Sequence, residues 1–108
     1  MESEEVVPIL GALAQETRLD VFRLLVRAGP RGLSAGEIAR RLEIAAPTLS
    51  FHLRSMLHAG LVTSERFGRS LFYAASFDQL NQVVAFLTEN CCSAGRGKRA
   101  PARRGRSS

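Results

Sequence analysis

Residues 34–73 read SAGEIARRLEIAAPTLSFHLRSMLHAGLVTSERFGRSLFY, and the order of elements packed into this run decides the fold. Ser34-Ala35-Gly36-Glu37 has the form of a capping box, in which a Ser hydroxyl and a Glu carboxylate each satisfy a free backbone N–H at a helix start. The spacing predicts a helix opening after Ser34, with Ile38, Ala39 and Leu42 on one face. It gives way around Glu43-Ile44-Ala45-Ala46, a gap of the length that joins the two helices of a helix-turn-helix. Pro47 suits the first position of a second helix, where its missing N–H would be unpaired anyway, and Gly60 suits that helix's C-cap.

On a wheel of about 100° per residue, Leu49, Leu53, Met56 and Leu57 share one side of the second helix and are expected to be buried. Pro47, Thr48, Phe51, Arg54 and Ser55 fall opposite, with Ser50 and His52 at the two margins. Phe51 has two readings there, a satellite of the core or a contact with a thymine methyl or sugar, and its position opposite the Leu stripe suits the second better. Beyond Gly60, Leu61-Val62-Thr63-Ser64-Glu65-Arg66 and Ser70-Leu71-Phe72-Tyr73-Ala74 are β-prone runs around Phe67-Gly68-Arg69, which predicts a hairpin. Arg66 and Arg69 sit near its tip, where a cation can reach phosphate or the minor groove; a surface arginine is otherwise only solvated. The fold expected is mainly α with a small β-hairpin, a winged helix-turn-helix. Its DNA-facing set is Pro47, Thr48, Ser50, Phe51, His52, Arg54, Arg66 and Arg69. Thr48, Ser50 and Phe51 would read bases, and Arg54, Arg66 and Arg69 would hold backbone.

At 108 residues the chain has room for one domain, and a chain this small buries only about two-thirds of its unfolded surface, so dimerisation would help it. No apolar run approaches ~18 residues and no signal peptide opens the chain, so a cytoplasmic protein without membrane contact is expected. The formal charge of +5 misleads if taken whole. Residues 93–108 hold Arg96, Lys98, Arg99, Arg103, Arg104 and Arg106 and no acid, so residues 1–92 carry nine basic against ten acidic groups. Domain and tail divide there: a DNA-binding and dimerisation domain over 1–92, and a Gly-, Ala-, Pro- and Ser-rich basic tail over 93–108 that is expected to be disordered. The tail either adds attraction to phosphates or only solubilises the chain. DNA binding by the domain must rest on local placement of charge.

Two further segments look like dimer material. Residues 6–14 present Val6, Val7, Ile9, Leu10 and Leu13. Residues 77–90 present Phe77, Leu80, Val83, Val84, Phe86 and Leu87 over about half the helix circumference, wider than one core-facing stripe requires. A partner helix would take the surplus; burial within its own monomer is the alternative. A helix over about Glu16 to Ala28, with Leu19, Phe22, Leu24, Leu25 and Val26 inside and Arg18, Arg23 and Arg27 outside, reads as central packing, terminated by Gly29-Pro30-Arg31-Gly32.

Thr17-Arg18-Leu19, Leu49-Ser50-Phe51-His52-Leu53, His58-Ala59-Gly60-Leu61-Val62, Gly68-Arg69 and Tyr73 together resemble the ArsR/SmtB family of bacterial repressors, over about residues 6–92. The run Phe86-Leu87-Thr88-Glu89-Asn90-Cys91-Cys92 looks like the arsenical-responsive branch with an adjacent Cys pair after its last helix. Sequence-neighbour cysteines cannot staple a scaffold, since a vicinal disulfide closes a small strained ring, so they read as free thiols. Thiolates select soft, thiophilic centres, and two at a frayed helix end can turn toward one ion; inert cysteines on an interface helix are the other reading. The resemblance favours ligation, with trivalent arsenic, inorganic or methylated, or antimony as inducer at Cys91 and Cys92.

The chain also departs from the family. Where metal-sensing relatives carry Cys-x-Cys before the recognition helix, it has Leu33-Ser34-Ala35-Gly36-Glu37, and its last helix holds Asp78 without a following His, so zinc sensing at those places is not expected. Arsenite sensors commonly add a third cysteine, and Ser93, Ala94, Gly95 and Arg96 follow here instead. No phosphate loop or nucleophile-base pair argues for catalysis or a catalytic cofactor. The leading expectation is a homodimeric repressor that holds an inverted-repeat duplex until an arsenical binds. A thiol-redox-sensing repressor and a winged-helix protein-interaction module using Phe51 are the alternatives.

Overall fold

Ser34 caps a helix as its sequence position implies: its Oγ accepts the Glu37 N–H at 3.2 Å. The other half of the expected box is given up, because the Glu37 carboxylate accepts from Arg40 and Arg41 instead. The computed structural model describes residues 1–90. In chain order these form α1 (Ser3–Leu13), α2 (Glu16–Ala28), β1 (Leu33–Ser34), α3 (Ala35–Leu42), α4 (Ala46–His58), β2 (Val62–Phe67), β3 (Ser70–Ala75) and α5 (Phe77–Leu87). Cys91, Cys92 and the basic tail lie outside the described residues.

Helix α4 starts one residue earlier than expected, with Ala45 as N-cap and Pro47 second in the helix, where an absent N–H is equally harmless. It closes on a Schellman motif one residue short of the expected cap. Ala59 is the C-cap, Gly60 takes φ +79°, and the Gly60 and Leu61 N–H groups return to the Leu57 and Met56 carbonyls at 3.0 and 2.9 Å. The hairpin turns on Gly68-Arg69 alone, with Phe67 paired to Ser70 inside the strands. Gly68, at φ +64°, supplies the positive torsion that a two-residue turn needs at its first central position.

The sheet has a third strand that the sequence pattern missed. Its order is β1-β3-β2, with Leu33 opposite Tyr73 and Ser34 opposite Phe72. The approach is so close at Gly32 that a Cβ there would lie 2.0 Å from the Tyr73 carbonyl oxygen. This strand ties the start of α3 to the root of the wing.

The core gathers Val21 and Leu25 of α2, Ile38 of α3, Leu49, Leu53 and Met56 of α4, and Leu61, all essentially sealed from solvent. Burial of each such side chain is worth about 1.5–3 kcal/mol. Val62 and Ala75, paired at the base of the hairpin, are buried too, while residues 63–70 are exposed, so the wing is rooted in the core and free at its tip. Leu19 departs from expectation: it is 42% exposed, because the buried face of α2 centres on Val21, Phe22, Leu24 and Leu25 and Leu19 lies on the far side of the wheel. Helix α1 sends Val6 and Ile9 into the core and leaves Val7 and Leu10 outside. Helix α5 sends in Val83, leaves Val84 and Leu87 exposed, and stops at Leu87, short of the expected residue 90. There the Thr88 hydroxyl donates to the Val84 carbonyl at 2.9 Å. Among the described residues no helix is long and apolar enough to cross a membrane.

Candidate nucleic-acid interface

The turn between α3 and α4 fixes the geometry of the helix-turn-helix. Glu43 adopts a left-handed φ of +55°, and the Ile44 N–H returns to the Ala39 carbonyl at 3.0 Å, which closes α3 and swings the chain into α4. With Leu49, Leu53 and Met56 turned inward, the opposite side of α4 leaves Pro47, Thr48, Ser50, Phe51 and Arg54 exposed in one strip. Phe51 is 57% exposed, so it is a surface side chain rather than a satellite of the core. A half-exposed aromatic flanked by Thr, Ser and Arg offers an apolar contact, hydroxyls and a cation together, the mixture that base edges and phosphates require.

The wing adds Arg66 and Arg69, both exposed, beside an edge-to-face pair of Phe67 and Phe72 with centroids 5.5 Å apart. On α3, Arg40 and Arg41 share the Glu37 carboxylate, and these hydrogen bonds, Arg40 first, hold its pKa down to about 2. Both pairs are solvent-exposed, so salt screens them.

His52 does not join the exposed strip. It is buried, and its Nδ1 lies 3.2 Å from the Arg18 guanidinium of α2, which removes it from the DNA-facing set expected from the wheel. The physical reason is its place three residues after Leu49 and four before Met56: at the margin of the apolar face, a ring turns inward when a donor from another helix is there to meet it. Arg18, expected outside, is that donor and is partly buried. Burial, and then the charge of Arg18, press the His52 pKa below its ordinary value. A contact across 34 positions leaves no local sequence signal. The only hint was Arg18 and His52 both falling within the motifs of the family resemblance.

The fold has close counterparts. A family of helix-turn-helix domains matches residues 13–65. The chain is 32% identical over 92 residues to the transcriptional activator HlyU of Vibrio cholerae, covering 85% of this chain and 82% of that protein. An ArsR-like transcriptional regulator from Rhodococcus superimposes with a TM-score of 0.74 at 29% identity, over 86% of this chain and 85% of that one. The chain belongs to the ArsR family. Within it, the arsenical resistance operon repressor of Bacillus subtilis is 28% identical over 81 residues, covering 75% of this chain and 73% of that protein. As an ArsR-family regulator with a helix-turn-helix, the chain is a DNA-binding protein of transcription and not an enzyme. In this fold α3 and α4 form the helix-turn-helix, and the wing is the β2–β3 hairpin.

Proposed function

We propose that this ArsR-family chain is a homodimeric repressor that binds an inverted-repeat operator through Pro47, Thr48, Ser50, Phe51 and Arg54 of α4 and Arg66 and Arg69 of the wing. It leaves the operator when a trivalent arsenical or antimonial binds Cys91 and Cys92. The observation that carries the DNA-binding part is the exposed strip on α4, opposite a face sealed by Leu49, Leu53 and Met56. Val7 and Leu10 of α1 and Val84 and Leu87 of α5 remain exposed on the two helices at the ends of the domain, which supports pairing through them. A two-fold dimer then presents its recognition helices about one helical turn of DNA apart, ~34 Å.

For the inducer, support comes from the two adjacent thiols just past α5 and from a relative named for arsenical resistance. On binding, two As–S bonds replace two As–OH bonds, and each exchange releases one water. Because the thiols follow a helix of the proposed interface, their ligation can change the relative setting of the recognition helices without touching DNA. A coupling of about 1–3 kcal/mol, up to roughly 150-fold in affinity, is typical and would suffice for release.

The test is a titration of the protein–operator complex with trivalent arsenicals, for the wild type and for Cys91→Ser/Cys92→Ser. Release from the wild type and retention by the double variant is the expected result. Release of both would place sensing elsewhere, and release by peroxide without arsenical would put thiol oxidation in the inducer's place.

A further inference from the structure

Arg18 makes three contacts that have no place in a DNA interface. Its backbone N–H donates to the Gln15 side chain at 2.9 Å, its Nε donates to the Ala12 carbonyl at 2.8 Å, and its Nη1 meets His52 Nδ1 at 3.2 Å. Ala12 stands in the last turn of α1, and His52 in the middle of α4. We propose that Arg18 is a positioning residue of the DNA-reading unit, whose guanidinium ties the end of α1 to the buried edge of α4 and so sets the orientation in which Ser50 and Phe51 meet a duplex.

The chemistry of the pair makes the tether conditional. A guanidinium only donates, so His52 Nδ1 must accept, which places the ring's one proton on Nε2. A second proton would remove the acceptor and set an imidazolium against a permanent cation. Among the described residues, Arg18 is the charged group that acts on the His52 ring; α1 reaches the pair through the uncharged Ala12 carbonyl, and on α4 the ring meets Phe51 edge to face at 5.6 Å. A shift of His52 is therefore passed directly to an exposed residue of the recognition strip. The fork also explains why arginine rather than lysine stands here, since a point-like ammonium does not present two fixed donors to two helices.

This inference rests on DNA reading by α4 and is independent of the inducer. The probe is a duplex selected by the wild-type chain from a randomised library, measured against an unrelated duplex for the full-length wild type, Arg18→Lys, His52→Leu, their double variant and His52→Asn, with thermal unfolding alongside. Arg18→Lys and His52→Leu should each lose about tenfold or more in preference for the selected duplex, and the double variant should lose little more than either single one, the signature of a shared interaction. His52→Asn keeps an acceptor near the position of Nδ1 without a titrating proton. It should restore the preference and abolish the loss expected of the wild type once acidification reaches the His52 pKa, which lies below the ordinary value.

Wild-type preference in Arg18→Lys, additive losses in the double variant, or an unchanged acid loss in His52→Asn would each overturn the proposal. Should His52→Leu fail to fold, Arg18→Lys and His52→Asn still decide it. A wild-type chain that selects no duplex would instead sink the DNA-reading assignment of α4.

Discussion

Phe51 and His52 are adjacent in α4 and opposite in environment: the Phe51 side chain is 57% exposed, His52 is 8% exposed, and their rings meet edge to face with centroids 5.6 Å apart. The boundary between the exposed strip of α4 and the core thus runs between two consecutive residues. Phe51→Ala removes a surface ring and should leave folding stability within about 0.5 kcal/mol of wild type. It should cost about 1–3 kcal/mol of operator binding if the ring contacts a base. Urea unfolding and duplex binding measured side by side separate the two effects.

Ser50→Ala and Arg69→Ala should differ in kind. Ser50 stands in the exposed strip of α4, and loss of its hydroxyl should relax sequence preference while leaving binding to unrelated duplexes as it was. Loss of the Arg69 cation at the wing tip should weaken binding to all duplexes alike and lower the slope of log affinity against log salt by about 1. Footprinting under varied salt checks both. A single unrepeated protected site would rule out the two-fold geometry.

What could be read in the sequence was what local chemistry enforces. Ser34 announced a helix start, Gly60 a helix end and Gly68 a tight turn, and each stands within a residue of its predicted role, because capping and positive φ are decided by a few neighbours. Strand β1 escaped notice because two residues carry no periodicity; it exists through pairing with Tyr73 and Phe72, nearly forty positions away. His52 and Arg18 were misplaced for the same reason. A wheel assigns a marginal residue to neither side, and the partner that draws it inward comes from another helix. Leu19 erred in the other direction, an apolar residue counted as core although the true face of α2 lies across the helix.

Gly32 should be among the least replaceable positions of the fold. It is buried at φ +76°, and an added Cβ would fall 2.0 Å from the Tyr73 carbonyl oxygen. The torsion alone costs an L residue about 1–3 kcal/mol, and the collision is with backbone, which cannot swing aside as a side chain can. Gly32→Ala should therefore destabilise by more than about 2 kcal/mol and separate β1 from β3. Gly36 has no positive φ, and a Cβ added to it would meet nothing within 4 Å. It should accept Ala with little change, so the pair of variants isolates the clash.

Stability should fall on mild acidification through His52. Burial and Arg18 lower its folded pKa below the ordinary 6.5, so the unfolded chain takes up a proton at this site before the folded one does. The contribution is complete above about pH 6.5 and is lost as pH falls toward the lowered folded value. Urea midpoints compared at roughly pH 7.5 and 5.5 should drop for the wild type by more than for His52→Asn. Equal drops would assign the acid sensitivity to other groups.

Thiol count bears on which arsenical should act best. The chain has two cysteines, and both belong to the adjacent pair Cys91-Cys92. Arsenite offers three exchangeable positions, so a two-thiol site leaves one to hydroxide or to an external thiol. A singly methylated trivalent arsenical has two, and the pair saturates it. Burying the methyl group would add at most about 0.8 kcal/mol, so the matched ligand count is the larger effect. Methylarsenite should accordingly release operator at lower concentration than arsenite or antimonite. A site shared between protomers would reverse the order, because four thiols per dimer could supply a third ligand. Arsenic per dimer and sulfur coordination number distinguish the two arrangements: two arsenic atoms per dimer, each on two sulfurs, is the expected result, and one arsenic held by three sulfurs would overturn it.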